Sequence, residues 1–230
     1  MIRPRLAMTA ALVPPDSVAA DIGSDHAYLP IYLVRQGICP RAIAADIAEG
    51  PLQNGLEAVC AAGLEDKIEL CLSDGFSRFA ADDAGCWILA GMGGTLIARL
   101  LDAAPWLCRP GTALVAQPMR RAHELRQWLM LHNFCIISEY ACYDAGRAYL
   151  ALRAEYSGEV RAYPPGYAYY GELLHCGHPA AREILRRGKA MLQVRIEALR
   201  QLGQPGKSGS HAAELTALEE IFDDYCARCV

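Results

Sequence analysis

The residues best placed for chemistry lie near the start of the chain, in the segment V-A-A-D-I-G-S-D-H-A-Y-L-P at residues 18–30. An apolar run ends in Asp21, Gly23 permits a tight turn, and the residues that follow can open a helix. In an α/β sheet this order brings a strand end and a helix N-terminus together. A nucleotide-type ligand binds at such a place.

The same segment departs from a dinucleotide-binding loop. That fingerprint is G-x-G-x-x-G, and here Asp25 and Tyr28 stand where the second and third glycines would be, after Gly23. A carboxylate at Asp25 would repel a pyrophosphate. It would tolerate or attract a cationic cofactor, such as the sulfonium of S-adenosylmethionine.

Polar or glycine-rich residues also follow the next four predicted strands. An acid after the second strand can hold ribose hydroxyls, and an acid after the third can accept a hydrogen bond from an adenine amine. The residues are Asp46 and Ile47, then Asp74 and Gly75, then Gly91, Met92, Gly93 and Gly94, then Gln117 and Pro118. Each group alone is common at a strand end, because tight turns use the same residues. Their succession predicts a nucleoside-type site, since ligands of open α/β sheets bind at the carboxyl ends of strands.

The elements that must position these residues alternate in type. Apolar runs predict strands at 18–22, 42–46, 68–72, 86–90, 113–116, 134–139 and 148–153. Helical patterns lie between them at 28–36, 52–62, 95–104 and 123–132. Alternation predicts a parallel sheet with helices on both faces. Residues 141–146 resemble a loop, so the last two strands are expected to pair antiparallel at an edge. A seven-stranded, mostly parallel sheet of this kind is typical of the Rossmann-like class I methyltransferase fold, and less so of a dehydrogenase domain.

The sequence Tyr163-Pro164-Pro165-Gly166 interrupts this alternation. We therefore expect two domains: an α/β methyltransferase domain at 1–160 and a C-terminal α-helical hairpin at 161–230. Apolar residues at a spacing of three to four predict its helices at 179–202 and 212–228, joined by a flexible turn at 203–210. The hairpin is either a packing or dimer arm or a clamp for the substrate.

Composition limits location and metal binding. No run of about 18 apolar residues is present, and the first eight residues lack a long apolar segment, so neither a membrane span nor a secretory signal is expected. We expect a cytoplasmic protein whose ten cysteines are mostly small apolar residues. The pair Cys226-x-x-Cys229 has no second pair at a matching spacing, so no metal is expected.

Absent motifs narrow the chemistry. The chain has G-M-G-G rather than N-P-P-Y after the fourth strand, which disfavours methylation of an exocyclic amine. It has no Pro-Cys, which disfavours methylation at a pyrimidine carbon, and neither a G-x-S-x-G elbow nor a Walker loop. Methyl transfer to an atom with its own lone pair remains, and placement does most of the work in such a reaction.

Six short segments resemble one family. They are D-I-G-S-D-H-A-Y-L-P at 21–30, Ala45-Asp46, Gly50-Pro51, L-S-D-G at 72–75, G-M-G-G at 91–94 and Q-P at 117–118. These motifs, and the order of an α/β domain before a helical hairpin, are similar to the bacterial tRNA adenine-N1 methyltransferases that modify tRNA position 22. The resemblance implies S-adenosylmethionine as methyl donor. The cofactor residues expected on this basis are Asp21, Gly23, Ser24, His26, Asp46, Ile47, Asp74, Gly75, Gly91, Met92, Gly93 and Gly94.

For the reaction, we expect Asp25 and Tyr28 to be catalytic residues. N1 of adenine lies on the Watson–Crick edge, so the base must be unpaired or flipped, and the product ring is cationic. Asp25 would accept a hydrogen bond from the exocyclic amine and stabilise that charge, or it merely caps the following helix. Tyr28 would stack on the base or wall the pocket, or it belongs to the core.

The tRNA is expected to contact residues after the fifth strand and the arginines of the hairpin. The former are Gln117, Pro118, Arg120, Arg121 and Arg126. Solvated helix faces explain any one arginine equally well, and the net charge of −4 argues weakly against a nucleic acid. The alternatives are a methyltransferase of the same fold acting on a small molecule or protein, and a non-catalytic RNA-binding module. We expect a monomer or weak dimer.

Overall fold

The computed structural model describes residues 2–202 and 209–229. Residues 203–208 of the expected flexible turn lie outside the described residues, and residues 209 and 210 belong to the last helix. Within the described ranges, no helix is both long enough and apolar enough to cross a membrane.

Seven strands form one sheet in the order β3-β2-β1-β4-β5-β7-β6. They are β1 (Ala19–Ile22), β2 (Ala42–Asp46), β3 (Ile68–Leu72), β4 (Cys86–Gly93), β5 (Ala113–Arg120), β6 (Phe134–Asp144) and β7 (Arg147–Tyr156). Strands β1 to β5 are parallel, and β7 runs antiparallel between β5 and β6. The expected fold class and the antiparallel pairing of the last two strands at an edge are confirmed.

The central strands are apolar because both of their faces are covered. Ala20, Trp87 and Leu114 pack into the core on one face of the sheet, whereas their neighbours Ile88 and Val115 pack into the core on the other. Alternate residues of a strand point to opposite faces, so a strand buried on both sides must be apolar throughout. This explains why the strands were visible as apolar runs in the sequence.

The four expected helices of the α/β domain are present, with small differences at their ends. They are α2 (Tyr28–Arg35), α3 (Glu49–Ala62), α4 (Gly94–Asp102) and α5 (Ala122–Leu131). An additional helix, α1 (Pro4–Ala10), precedes β1. A proline at its first turn suits a helix start, and it buries Met8 and Ala10. It packs against α2, β6 and β7.

One prediction about the sheet is wrong. Residues 141–146 are not a loop, because β6 continues to Asp144 and β7 begins at Arg147. The connection is the two-residue turn Ala145-Gly146, with φ angles of 48° and 74°. Positive φ at both positions is what a tight hairpin turn with the twist of the flanking strands requires.

The C-terminal part contains α6 (Tyr167–Tyr170), a 3₁₀ helix (Gly171–His175), α7 (Pro179–Leu202) and α8 (Gly209–Arg228). The last two helices form an antiparallel hairpin, in which Tyr225 donates a hydrogen bond to the Leu185 carbonyl and Arg195 pairs with Glu214 at 2.9 Å. Their apolar stripes meet at Leu192, Ile196 and Leu218, which are buried. The division at residue 160 stays a prediction.

A buried ion pair joins this part to the sheet. Arg126 of α5 donates to Glu139 of β6 at 2.7 Å, and both side chains are almost fully inaccessible. The Arg126 guanidinium also donates to the carbonyls of Ala168 and Tyr169, and the Glu139 carboxylate accepts from the Leu173 N–H. The pair therefore fixes the segment that leads into α7.

The strand order places a crevice at one edge of the sheet. The chain first moves outward from β1 through β2 to β3, and then returns to β4 on the other side of β1. Connections that leave β1 and β4 in opposite directions open a gap above their carboxyl ends. The motifs of the sequence follow these ends.

Candidate functional site

Three acids are brought together at the carboxyl ends of neighbouring strands. Asp21 lies in β1, Asp46 ends β2, and Asp74 follows β3. Backbone hydrogen bonds hold these ends in step, since Gly23 N donates to the Ala45 carbonyl at 2.7 Å and Ser73 N donates to the Asp46 carbonyl at 2.9 Å. The order of the acids along this edge is the one expected from the sequence.

The turn after β1 depends on a residue without a side chain. Gly23 has a φ of +78°, which L side chains rarely adopt. A Cβ at this position would overlap the terminal methyl of Met92, which lies against the glycine. The backbone at Gly23 is thus free to approach a ligand closely. Gly23 and Met92 are two of the expected cofactor residues, and the fold brings them into contact.

Two polar side chains at this turn, Asp21 and Ser24, are buried, and hydrogen bonds compensate little for their burial. Burial raises the pKa of Asp21 to about 6, an effect that the Ser24 side chain opposes and the Asp46 charge increases. Ser24 Oγ is itself buried and has no well-aligned hydrogen-bond partner within the described part of the chain. A carboxylate and a hydroxyl in this state fit a ligand that carries both an ammonium and a carboxylate, as the amino-acid end of S-adenosylmethionine does.

The end of β2 combines a polar and an apolar group. The Asp46 carboxylate accepts from the Ala48 N–H at 2.9 Å and is half-buried. The next side chain, Ile47, is 66% exposed, which is unusual for a large apolar residue. This pair suits a nucleoside, because the carboxylate can hold ribose hydroxyls and the isoleucine can cover a face of the base.

The turn after β3 presents Asp74 to solvent. Ser73 is buried, and its hydroxyl donates to the Gly75 carbonyl at 2.9 Å while it accepts from the Arg78 N–H at 3.3 Å. Gly75 has a φ of +55°. These bonds fix the turn, so the exposed Asp74 carboxylate stands at a defined place next to Ile47 and Asp46.

The segment Asp25 to Tyr28 adopts an unusual backbone. His26 and Ala27 have φ angles of 61° and 53°, so two successive non-glycine residues are left-handed. Such strain persists where the surrounding structure enforces it, and it is concentrated at functional sites. His26 Nε2 lies 3.3 Å from Asp25 Oδ1, and its ring stacks on Tyr28 with centroids 5.3 Å apart.

Two alternatives from the sequence are wrong at this segment. Asp25 does not cap the helix, since Ala27 is the N-cap residue and no side chain caps α2. Tyr28 does not belong to the core, because 55% of its surface is exposed. Both side chains are therefore available to a ligand at the crevice.

The loop after β4 is held by a residue from β5. Gln117 Oε1 accepts from the Gly91 N–H at 3.2 Å and from Arg5 Nη1 at 2.8 Å. Arg5 lies on α1, with its guanidinium 5.7 Å from the Tyr149 ring centroid. This network connects α1, β5 and β7 to the segment Gly91–Gly94 that faces the crevice. The sequence carried no signal for Arg5.

The predicted substrate contacts of Gln117, Pro118 and Arg126 are wrong. Gln117 is 0% exposed and Pro118 is buried, so both support the loop rather than face a substrate. The Arg126 side chain is 1% exposed, and its guanidinium already donates hydrogen bonds to Glu139 and to two backbone carbonyls. The sequence suggested otherwise because an arginine on a predicted helix is usually solvated. Arg120 and Arg121 are exposed, as expected.

The sulfur and imidazole groups form no metal site among the described residues, where no three His, Cys, Asp or Glu side chains cluster suitably. Burial raises the pKa of the Cys39 thiol to about 11, and it also raises that of Cys229 to about 11. These two cysteines stay protonated at neutral pH. Cys39 and Cys86 are buried and Cys60 is exposed, and the expectation that most cysteines are small apolar residues stays a prediction.

Comparisons with known proteins identify the family. A family model described as a methyltransferase domain matches residues 2–152. The tRNA (adenine(22)-N(1))-methyltransferase of Bacillus subtilis strain 168 is 36% identical over 159 residues, which cover 69% of this chain and 67% of that protein.

Solved structures extend the similarity to the C-terminal part. The crystal structure of the B. subtilis m1A22 tRNA methyltransferase TrmK superposes with a TM-score of 0.84 at 26% identity, over 100% of this chain and 99% of that one. Streptococcus pneumoniae Sp1610, a putative tRNA (m1A22) methyltransferase solved in complex with S-adenosyl-L-methionine, has a TM-score of 0.77 at 32% identity. The similarity covers 96% of this chain and 100% of Sp1610.

Proposed function

This chain belongs to the family of bacterial tRNA (adenine(22)-N1)-methyltransferases, and we propose that its crevice brings a bound S-adenosylmethionine and a flipped adenine together. The enzyme transfers a methyl group from S-adenosylmethionine to N1 of adenine 22 in tRNA. The observation that carries the site assignment is the row of acids Asp21, Asp46 and Asp74 beside the exposed Asp25 and Tyr28.

The acids and glycines of the crevice hold the cofactor. Asp21 and Ser24 bind its amino-acid end, Asp46 binds the ribose hydroxyls, and Asp74 with Ile47 binds the adenine. Gly23, Gly75, His26 and the segment Gly91–Gly94 enclose it. The bound cofactor supplies an electrophilic methyl group on a sulfonium, and its positive charge suits a crevice with several carboxylates.

The acceptor needs positioning more than activation. N1 of a neutral adenine carries its own lone pair, so no base has to remove a proton before attack. Asp25 accepts a hydrogen bond from the exocyclic amine and stabilises the positive charge that develops on the ring. Tyr28 supplies a face against which the flipped base rests. Its ring is already oriented by stacking on His26.

The remainder of the tRNA contacts cations outside the crevice. Arg120 and Arg121 lie where β5 leads into α5, and Arg182, Arg186 and Lys189 lie on α7. We assign residues 1–160 to catalysis and 161–230 to a clamp that holds the RNA backbone. The protein then acts in the cytoplasm, as a monomer or weak dimer.

The salt dependence of the affinity for tRNA tests the phosphate contacts. If these cations neutralise phosphates, tRNA affinity falls steeply as the salt concentration rises, and Arg186→Ala reduces the slope of that dependence by about one. Filter binding between about 50 and 200 mM salt measures both. If the affinity for tRNA does not change with salt concentration, the assignment of residues 161–230 as a clamp is wrong.

The decisive experiment combines purified protein, labelled S-adenosylmethionine and unmodified tRNA, followed by nucleoside analysis. A peak of 1-methyladenosine that maps to position 22 is the expected result. Asp25→Ala should bind the cofactor normally and lose about 10² to 10³ in kcat, as the loss of a charge-stabilising group does. Asp66→Ala is the matched control, because this exposed acid lies before the start of β3, at the edge of the sheet opposite the carboxyl ends of the strands. Unchanged turnover in Asp25→Ala would end the assignment of Asp25.

A further inference from the structure

A groove runs between α1 and α2, on the side of Tyr28 away from the acids of β2 and β3. Its volume is about 470 Å³, which lies in the range of sites that bind small organic molecules. One face of α2 lines it, through Tyr28, Tyr32 and Arg35, at the helical spacing of i, i+4 and i+7. Ile2 and Leu6 line the opposite wall.

The lining combines aromatic and apolar surface with positive charge. Tyr28 is 55% exposed and Tyr32 is half-buried, packed on one side against the core. Arg35 is exposed and makes no ion pair within the described residues, while Arg3, the second arginine of the groove, pairs with Asp144 at 3.3 Å. Among the described residues, none of those that line the groove is acidic. This combination suits a stacked base with its phosphate.

The groove is continuous with the crevice. Tyr28 begins α2 at the carboxyl edge of the sheet, and α2 then runs toward the opposite edge. The seven steps from Tyr28 to Arg35 advance about 10 Å along the helix axis, at 1.5 Å per residue. That length leaves room for the neighbouring nucleotide of a chain whose adenine enters the crevice at Tyr28.

We propose that this groove binds the nucleotide directly next to the methylated adenine, with its base against Tyr32 and its phosphate against Arg35. The inference rests on the proposed function, because it needs an RNA acceptor at Tyr28. Flipping the target base removes the stacking partner of its neighbour. The groove replaces that partner with an aromatic ring, and it thereby stabilises the open conformation of the RNA.

The test compares groove variants with matched controls in the full-length enzyme. Tyr32→Ala and the surface variant Arg35→Glu should raise the KM for tRNA about tenfold, with the dissociation constant of S-adenosylmethionine unchanged. Arg41→Ala and Tyr140→Ala serve as controls, since both side chains are exposed outside the groove. A wild-type KM in Arg35→Glu overturns the proposal even if Tyr32→Ala fails to fold.

A second measurement identifies the occupant. Semi-synthetic tRNAs that lack the base at position 21 or at position 23 are assayed with wild-type enzyme and with Tyr32→Ala. One of these tRNAs should lose about tenfold in kcat/KM with wild-type enzyme and nothing further with the variant. The proposal is overturned if, for both tRNAs, the loss caused by the missing base and the loss caused by Tyr32→Ala multiply. If wild-type enzyme methylates no tRNA at all, the proposed function fails, which is a different result from either outcome here.

Discussion

At the scale of single residues, the buried carboxyl of Asp21 serves cofactor binding and lowers the folding stability of the protein. Its carboxyl is 6% exposed, and burial raises its pKa to about 6 from 3.8. The folded protein therefore binds this proton more tightly than the unfolded chain does. The free energy of unfolding falls as the pH rises from about 4 to 6, and the whole cost is present above that range. At neutral pH it amounts to at most about 3 kcal/mol.

Asp21→Asn should remove this cost. Without cofactor, the variant is expected to melt several degrees above wild type at pH 7, and to melt at the wild-type temperature near pH 4. Its affinity for S-adenosylmethionine should fall about tenfold or more, because the ammonium loses its ionic partner. Melting curves from pH 4 to 8 and calorimetric titration measure the two effects. The exposed Asp66→Asn should show neither, and a melting difference that does not change with pH contradicts the explanation.

Gly94 is a second residue whose type the geometry dictates. A Cβ here would overlap the carbonyl oxygen of Arg121, which is backbone and cannot move aside easily. Gly94→Ala should therefore lower the free energy of unfolding by about 1 to 3 kcal/mol. Gly50→Ala is the control, because its Cβ meets nothing within 4 Å and the φ is ordinary. It should be neutral or slightly stabilising. Urea unfolding separates the two, and equal effects would refute the steric argument.

At the scale of elements, the sequence predicts the buried strands and helices well and the contacts between distant elements poorly. The strand at 42–46 agrees with β2 because residues covered on both sides must be apolar. The strand at 68–72 agrees with β3, an edge strand in which Ile68 is buried and Glu69 is exposed. Helix α1 was missed because it has seven residues and too few turns to show periodicity. The acids at the strand ends were found because chain order places them there. Arg126 was misassigned because its partner, Glu139, lies on another element.

Helix α1 acts on the site through Arg5, and this can be tested. Arg5→Ala removes a donor from Gln117, whose side chain also holds the Gly91 N–H. We expect kcat to fall about tenfold, with a smaller change in cofactor affinity, because the loop after β4 loses part of its support. Steady-state kinetics and cofactor titration give the two numbers. Arg99→Ala, exposed on α4, should behave as wild type. A loss in cofactor affinity alone would place Arg5 in a different role.

At the scale of the whole molecule, the Arg126–Glu139 pair joins the two parts of the chain. Arg126→Met should cost about 3 to 5 kcal/mol, since it leaves a buried carboxylate and two carbonyls without a donor. The double variant Arg126→Met/Glu139→Leu should lose less than this single variant. The exposed pair of Arg109 and Asp82 provides the control, and Asp82→Ala should change stability by less than about 1 kcal/mol. Denaturant unfolding measures all three, and a double variant less stable than Arg126→Met would contradict the pairing.

The position of α1 has a consequence for synthesis on the ribosome. This helix precedes β1, yet Arg5 within it and Arg3 at its N-cap bond to residues 112 and 141 positions later, Gln117 and Asp144. Until Asp144 has left the exit tunnel, a nascent chain can pair β1 to β3 and display their acids, while α1 can pack against α2 but not yet against the complete β6 and β7. The support that Arg5 gives to the loop after β4 is thus acquired late, after Gln117 has been made. A ribosome stalled before that point carries a chain with the acids of β1 to β3 and without the contacts that hold α1 against the far strands of the sheet.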